Sequence, residues 1–167
     1  KACRLKDVKK FMGRLLGSDA FSPFLLAEAA ITTYNTFVID GHVVKEFFTG
    51  DINDDGTLPP YEFSQWTDMR SLCFDLIKGR RTPLFFRFVL HLMPHKAAAL
   101  LEKENCDVPP DQVKALVLNI RYDGAKATLT TGTALHTFHL SKMPDAIWDK
   151  ALGRYLDGKG IAYEELD

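Results

Sequence analysis

Two stretches of strict two-residue alternation constrain this chain more than anything else in it. Residues 84–92 read LFFRFVLHL, and residues 116–129 read LVLNIRYDGAKATL. In a strand, successive side chains point to opposite faces. Leu84, Phe86, Phe88, Leu90 and Leu92 then share one dry face, while Phe85, Arg87, Val89 and His91 share a mixed one. Likewise Leu116, Leu118, Ile120 and Tyr122 lie inward with Ala125, Ala127 and Leu129; Asn119, Arg121, Lys126 and Thr128 lie outward. Strands of a parallel sheet are buried on both faces and would be uniformly apolar, so the alternation calls for antiparallel pairing. Asp123-Gly124 between β-prone runs marks a hairpin.

Asp40-Gly41 has the same form and predicts a second hairpin. Its type I′ turn would pair Val38 with Val43 and Phe37 with Val44, with "HVVKEFF" as the return strand. The preceding "FLLAEAAITTYNTFVI" is rich in β-branched and aromatic residues and is expected to be mainly extended. A further strand is expected over 133–140.

Around these strands the apolar period changes to that of helices. Val8, Phe11, Met12, Leu15 and Leu16 form one stripe, with Gly17 as a left-handed cap. Phe63, Trp66, Met69, Cys73, Leu76 and Ile77 form a second, and "KAAALLEKE" (96–104) a short helix. A last helix opens at Pro144 and buries Ile147, Trp148, Ala151, Leu152, Tyr155 and Leu156. The expected fold is α+β: an antiparallel sheet with two Asp-Gly hairpins, covered on one face by about three amphipathic helices, in a single domain over 1–167.

Composition narrows the function classes. Net charge is −1, so nothing pulls the whole molecule toward nucleic acid or anionic lipid. The three cysteines, Cys3, Cys73 and Cys106, are too widely spaced for a CxxC site or a disulfide framework, which suits a reducing cytoplasm. No run approaches the roughly 20 apolar residues of a membrane span. The opening apolar residues keep helical spacing rather than massing together, so no secretory signal is expected.

The densest chemical motif is DINDDGTLPPYE, residues 51–62. It is similar to the twelve-residue calcium loop of an EF-hand, with Asp51, Asn53, Asp55, the Thr57 carbonyl and Glu62 at ligand positions 1, 3, 5, 7 and 12. Calcium is therefore the one cofactor the chain suggests. Its setting argues otherwise. A hairpin at Gly41 leaves no room for an entering helix, Pro59 removes an oxygen at position 9, and no second loop exists. A solvated turn leading into the next helix is the favoured reading, with no cofactor.

His136 and His139, three apart on an expected strand, would face opposite ways, and His91 and His95 straddle Pro94. There is no HExxH, GxSxG or GxGxxG. "TTGT" (130–133) could hold an anion but is ordinary strand composition. A site assembled from scattered residues such as Glu28, Tyr34 and His139 would leave no trace in spacing.

Residues 77–88, IKGRRTPLFFRF, carry the strongest binding signal. A basic loop with Lys78, Arg80 and Arg81 leads into the strand face of Phe85, Arg87 and His91. Aromatic rings beside guanidiniums on an open sheet face are how single-stranded RNA is stacked and held. The competing expectation is that a helix covers this face, burying Phe85 and Val89 while Arg87 snorkels to its edge.

"DVKKFMGRLL", "TTYNTFVIDGHVVKEFF", "CFDLIKGRRTPLFFRFVL" and "TTGTALHTFHL" together resemble a family of uncharacterised clostridial-type bacterial proteins. The resemblance spans nearly the whole chain, implies one intact domain, and brings no activity or catalytic residues with it. The expectation is a cytoplasmic binding module rather than an enzyme, with a protein or RNA partner and contact through residues 78–91. A calcium-binding protein using residues 51–62 is the rival.

Overall fold

The computed structural model describes residues 1–49 and 58–166. Along the chain it places β1 (Ala2–Leu5), α1 (Val8–Gly17), β2 (Phe24–Thr32), β3 (Thr36–Asp40), β4 (Ser64–Gln65) and α2 (Trp66–Ile77). There follow β5 (Phe85–Leu92), α3 (Pro94–Lys103), β6 (Val113–Tyr122), β7 (Ala127–Leu135), α4 (Met143–Gly158) and β8 (Tyr163–Glu165). The strands form one sheet in the order β3-β2-β5-β6-β7-β1-β8, with β4 beside β2, and every pairing is antiparallel. The chain is α+β, as its alternation requires. No helix of the described residues is long and apolar enough to cross a membrane.

The period-two pattern maps onto burial residue by residue. Phe86, Phe88 and Leu90 of β5 and Leu116, Leu118, Ile120 and Tyr122 of β6 are buried in one cluster. That cluster also takes in Phe11, Leu15 and Leu16 of α1, Trp66 and Cys73 of α2, Ala97 of α3, and Trp148, Leu152 and Leu156 of α4. Helices therefore cover one face of the sheet. Two indoles fix them: Trp66 Nε1 donates to the Leu15 carbonyl at 2.9 Å, tying α2 to α1, and Trp148 Nε1 donates to the Val117 carbonyl at 2.9 Å, tying α4 to β6. Burial with its one polar atom satisfied is the arrangement in which Trp stabilises most. The core-side hydroxyls of Thr131 and Thr133 donate to Asp149 and Asp145 of α4, which accounts for TTGT as strand rather than anion site.

Several expectations are corrected. Asp40-Gly41 is not a hairpin: β2 turns through 33–35 into β3, with Ile31 opposite Phe37 and Ala30 opposite Val38. Gly41 instead lies against β2 where its register slips between Leu26 and Glu28. A Cβ at Gly41 would stand 1.8 Å from the Leu26 carbonyl oxygen, so the residue is glycine for lack of space rather than for a turn. The return strand over "HVVKEFF" is replaced by one bridge, His42 opposite Phe63, and a 3₁₀ turn at Lys45–Phe48. β7 runs through Gly132 and stops at Leu135, so 136–140 is not strand. Gly17 stays inside α1, which ends where the Ser18 hydroxyl donates to the Arg14 carbonyl at 2.6 Å.

The Asp123-Gly124 hairpin stands. Its loop is four residues, from Tyr122 opposite Ala127, with Ala125 exposed in it rather than inward. Asp123 Oδ1 accepts from the backbone N–H groups of Ala125 and Lys126 at 2.9 and 2.8 Å, and those bonds hold its carboxyl below the usual carboxylate range. Gly124, at φ +95°, supplies the left-handed residue.

Candidate binding surface

Among the described residues four helices lie on one face and none on the other, so Phe85, Arg87 and Val89 are half-buried rather than sealed. The helix expected to cover it is not found among the described residues. Cross-strand register lays one row over this open face: Val38, Ala30, Arg87, Arg121, Thr128, Arg4 and Glu164. Two of its three arginines are neutralised. Arg87 Nη2 lies 2.6 Å from Glu28 Oε1, and Arg4 pairs with Glu164. Arg121 has no carboxylate partner among the described residues; its guanidinium sits 5.5 Å from the Phe85 ring centroid. A flat ligand arriving here would meet a guanidinium plane backed by a ring, an arrangement suited to stacking. Arg121 was legible as outward-facing from alternation alone; its partnership with Phe85 needed the register.

His91 belongs elsewhere. It lies six residues along β5 from Phe85, roughly 20 Å at about 3.3 Å per residue. The Phe63 ring covers it at 4.9 Å, and His42 packs on that ring at 4.4 Å. Burial lowers the His91 pKa, opposed by the charge of Glu62. His91 and Phe85 therefore share a strand face without sharing a site.

The basic loop lies at the opposite end, beyond the start of β5. Between it and the β2–β3 turn is a cleft of about 530 Å³, lined by Tyr34, Phe37, Leu76, Arg80, Arg81 and Leu84 among others. Tyr34 and Phe37 stack edge-to-face at 5.7 Å; Tyr34 is 85% and Leu84 68% exposed. Lys78 pairs with Asp75 at 3.0 Å and sits over the Phe74 ring. Arg80 and Arg81 are exposed and enter no ion pair among the described residues. The structure thus brings Lys78, Arg80 and Arg81 together at the mouth of an aromatic cleft. Spacing alone does not reveal Tyr34 and Phe37 as partners of this loop, because they arrive from a turn some 45 residues earlier, a juxtaposition made by the Ile31–Phe86 and Thr32–Phe85 register.

Of the calcium-ligand candidates, Asp51, Asn53, Asp55 and Thr57 lie outside the described residues. Glu62 is exposed, its Oε1 3.5 Å from His42 Nε2. The described flanks are a 3₁₀ turn before the loop and a bridge and short strand after it, not the two helices an EF-hand requires. Among the described residues no group of three or more His, Cys, Asp or Glu could hold a metal. His136 is exposed and His139 half-buried beyond β7, and they make separate contacts. Glu28, Tyr34 and His139 are likewise engaged apart: with Arg87, with Phe37 and with Thr137.

The model of a family of unknown function, DUF5721, matches residues 14–164, which takes in the end of α1, the other three helices, β2 to β7 and the whole of the basic cleft. No curated protein and no solved structure matches the chain.

Proposed function

The chain belongs to the family of unknown function DUF5721, and for this member we propose a binding module that takes an anionic ligand through residues 78–91, with single-stranded nucleic acid as the ligand class. One observation carries the reading: Arg80 and Arg81, without carboxylate partners among the described residues, line a cleft together with the Tyr34–Phe37 pair. Cations that lack internal partners retain their charge for an incoming anion. Exposed rings beside them supply the sequence-tolerant stacking that single-stranded binding uses. The Arg121–Phe85 stack on the open face offers a second such position. Lys78, Arg87 and His91 contribute less, since the first two are paired within the fold and the third is covered.

The test is titration of a labelled single-stranded RNA at several salt concentrations against wild type and Arg80→Ala/Arg81→Ala. Each phosphate contact contributes a slope of about −0.7 in log K against log salt. The double substitution should therefore flatten the slope by about 1.4 and weaken binding at least tenfold at low salt. Equal, salt-insensitive binding by both proteins removes the reading.

A further inference from the structure

The loop 77–82 has a cleft on each side. The first is the one lined by Tyr34 and Phe37. A second, of about 510 Å³, lies between the same loop and the start of α1, lined by Val8, Lys9, Met12, Phe86 and Tyr122. Ile77, Lys78, Gly79, Arg81 and Thr82 line both. Lys78 and Arg81 thus stand between two largely apolar troughs, and each trough has a further cation among its lining residues: Arg80 on one side, beside the Lys78–Asp75 pair, and Lys9 on the other.

Resting on the preceding reading, we infer that the ligand unit is two adjacent nucleotides straddling this loop, with a base in each trough and the linking phosphodiester against Arg81. A lone phosphate would use the loop and leave both troughs empty. A mononucleotide would fill one. A strand has apolar flat groups on both sides of each backbone charge, and that is the sequence of surfaces the protein presents. An acidic peptide also carries charge, but its carboxylates are themselves the side chains and leave the troughs unfilled.

Calorimetric or fluorescence titration of ApA, AMP, inorganic phosphate and an acidic hexapeptide tests the inference, with melting curves confirming that each variant is folded. ApA should bind at least tenfold more tightly than AMP, and phosphate and peptide more weakly still. Tyr34→Ala, which alters an exposed ring in the first trough, and Lys9→Glu, which puts a carboxylate in the lining of the second, should each bring ApA down to the level of AMP. Equal affinity for ApA and AMP, both lost in Arg80→Ala/Arg81→Ala, overturns the two-trough inference and leaves the anionic-ligand reading standing. A peptide that equals ApA overturns the nucleic-acid assignment. Failure of AMP and ApA to bind, or binding indifferent to Arg80→Ala/Arg81→Ala, overturns both.

Discussion

The two faces of β5 do opposite work with alternate residues of one eight-residue run. On the covered face, Phe86, Phe88 and Leu90 are at most 2% exposed, and Phe88 meets the Trp66 ring edge-on at 5.4 Å. On the other, Phe85 is half-exposed beneath Arg121, and Arg87 is held by Glu28. Both faces carry phenylalanine, so residue type does not separate them. Parity does, because among the described residues helices pack on one side of the sheet alone. Stability and surface chemistry are therefore separable by substitution at neighbouring positions, and that separation can be tested.

The largest effect belongs to Phe88→Ala, which should cost about 4 kcal/mol in chemical denaturation by leaving a cavity against Trp66. The same truncation one face over, Phe85→Ala, should cost less than about 1 kcal/mol while weakening RNA binding; equal losses at both positions would break the contrast outright. Gly41→Ala should cost about 3 kcal/mol, since its Cβ would strike backbone that cannot swing aside, unlike a side chain at an exposed site. A double-mutant cycle of Arg87→Ala and Glu28→Ala should yield below about 1 kcal/mol, as both side chains are more than a third exposed.

The smallest effect concerns pH. His91 has a lowered pKa in the fold, chiefly from burial, with Lys114 and His42 acting in the same direction and Glu62 against. Between its folded and its ordinary value near 6.5 the unfolded chain holds more protons, so His91 withdraws stability as pH falls through 6.5. His91→Gln should lessen the drop in melting temperature between pH 7.5 and pH 5.5; an unchanged drop would assign it to other groups. For residues 51–62, the turn reading predicts a melting temperature unmoved by calcium.

What could be read from the chain beforehand follows the range of each signal. Alternation in 84–92 and 116–129 is local, and it assigned β5, β6 and most of their buried members; Leu84, expected on the dry face, instead precedes β5 and is 68% exposed. Helical stripes are local too, and α1, α3 and α4 appear close to where the spacing put them, while α2 starts at Trp66 because Phe63, expected in its stripe, bridges to His42 instead. Asp-Gly is a local cue with two distant causes. At 123–124 the flanking strands pair with each other, whereas at 40–41 the partner of β3 had already gone by as β2, and Gly41 answers to a carbonyl fifteen residues earlier. The short edge strand β8 and the N-terminal β1 carry too few residues to show a period. The cleft was hidden for the same reason: Arg80 and Arg81 were visible, but Tyr34 and Phe37 join them only through the pairing of β2 with β5.

The contact at Gly41 has a practical corollary. Gly41 N–H donates to the Ala27 carbonyl and the Gly41 carbonyl accepts from Ser64 N–H, both at 2.9 Å, while Val43 N–H donates to the Glu62 carbonyl. Chain leaving the sheet at 42 and re-entering at 63 is thus buttoned at its root on a bulge of β2. Lengthening a closed excursion costs little, about 0.6 kcal/mol per doubling. That root makes the stretch between its two ends a natural port where a peptide tag or a small reporter domain can be spliced in, leaving the basic cleft at the other end of the sheet intact for measurement.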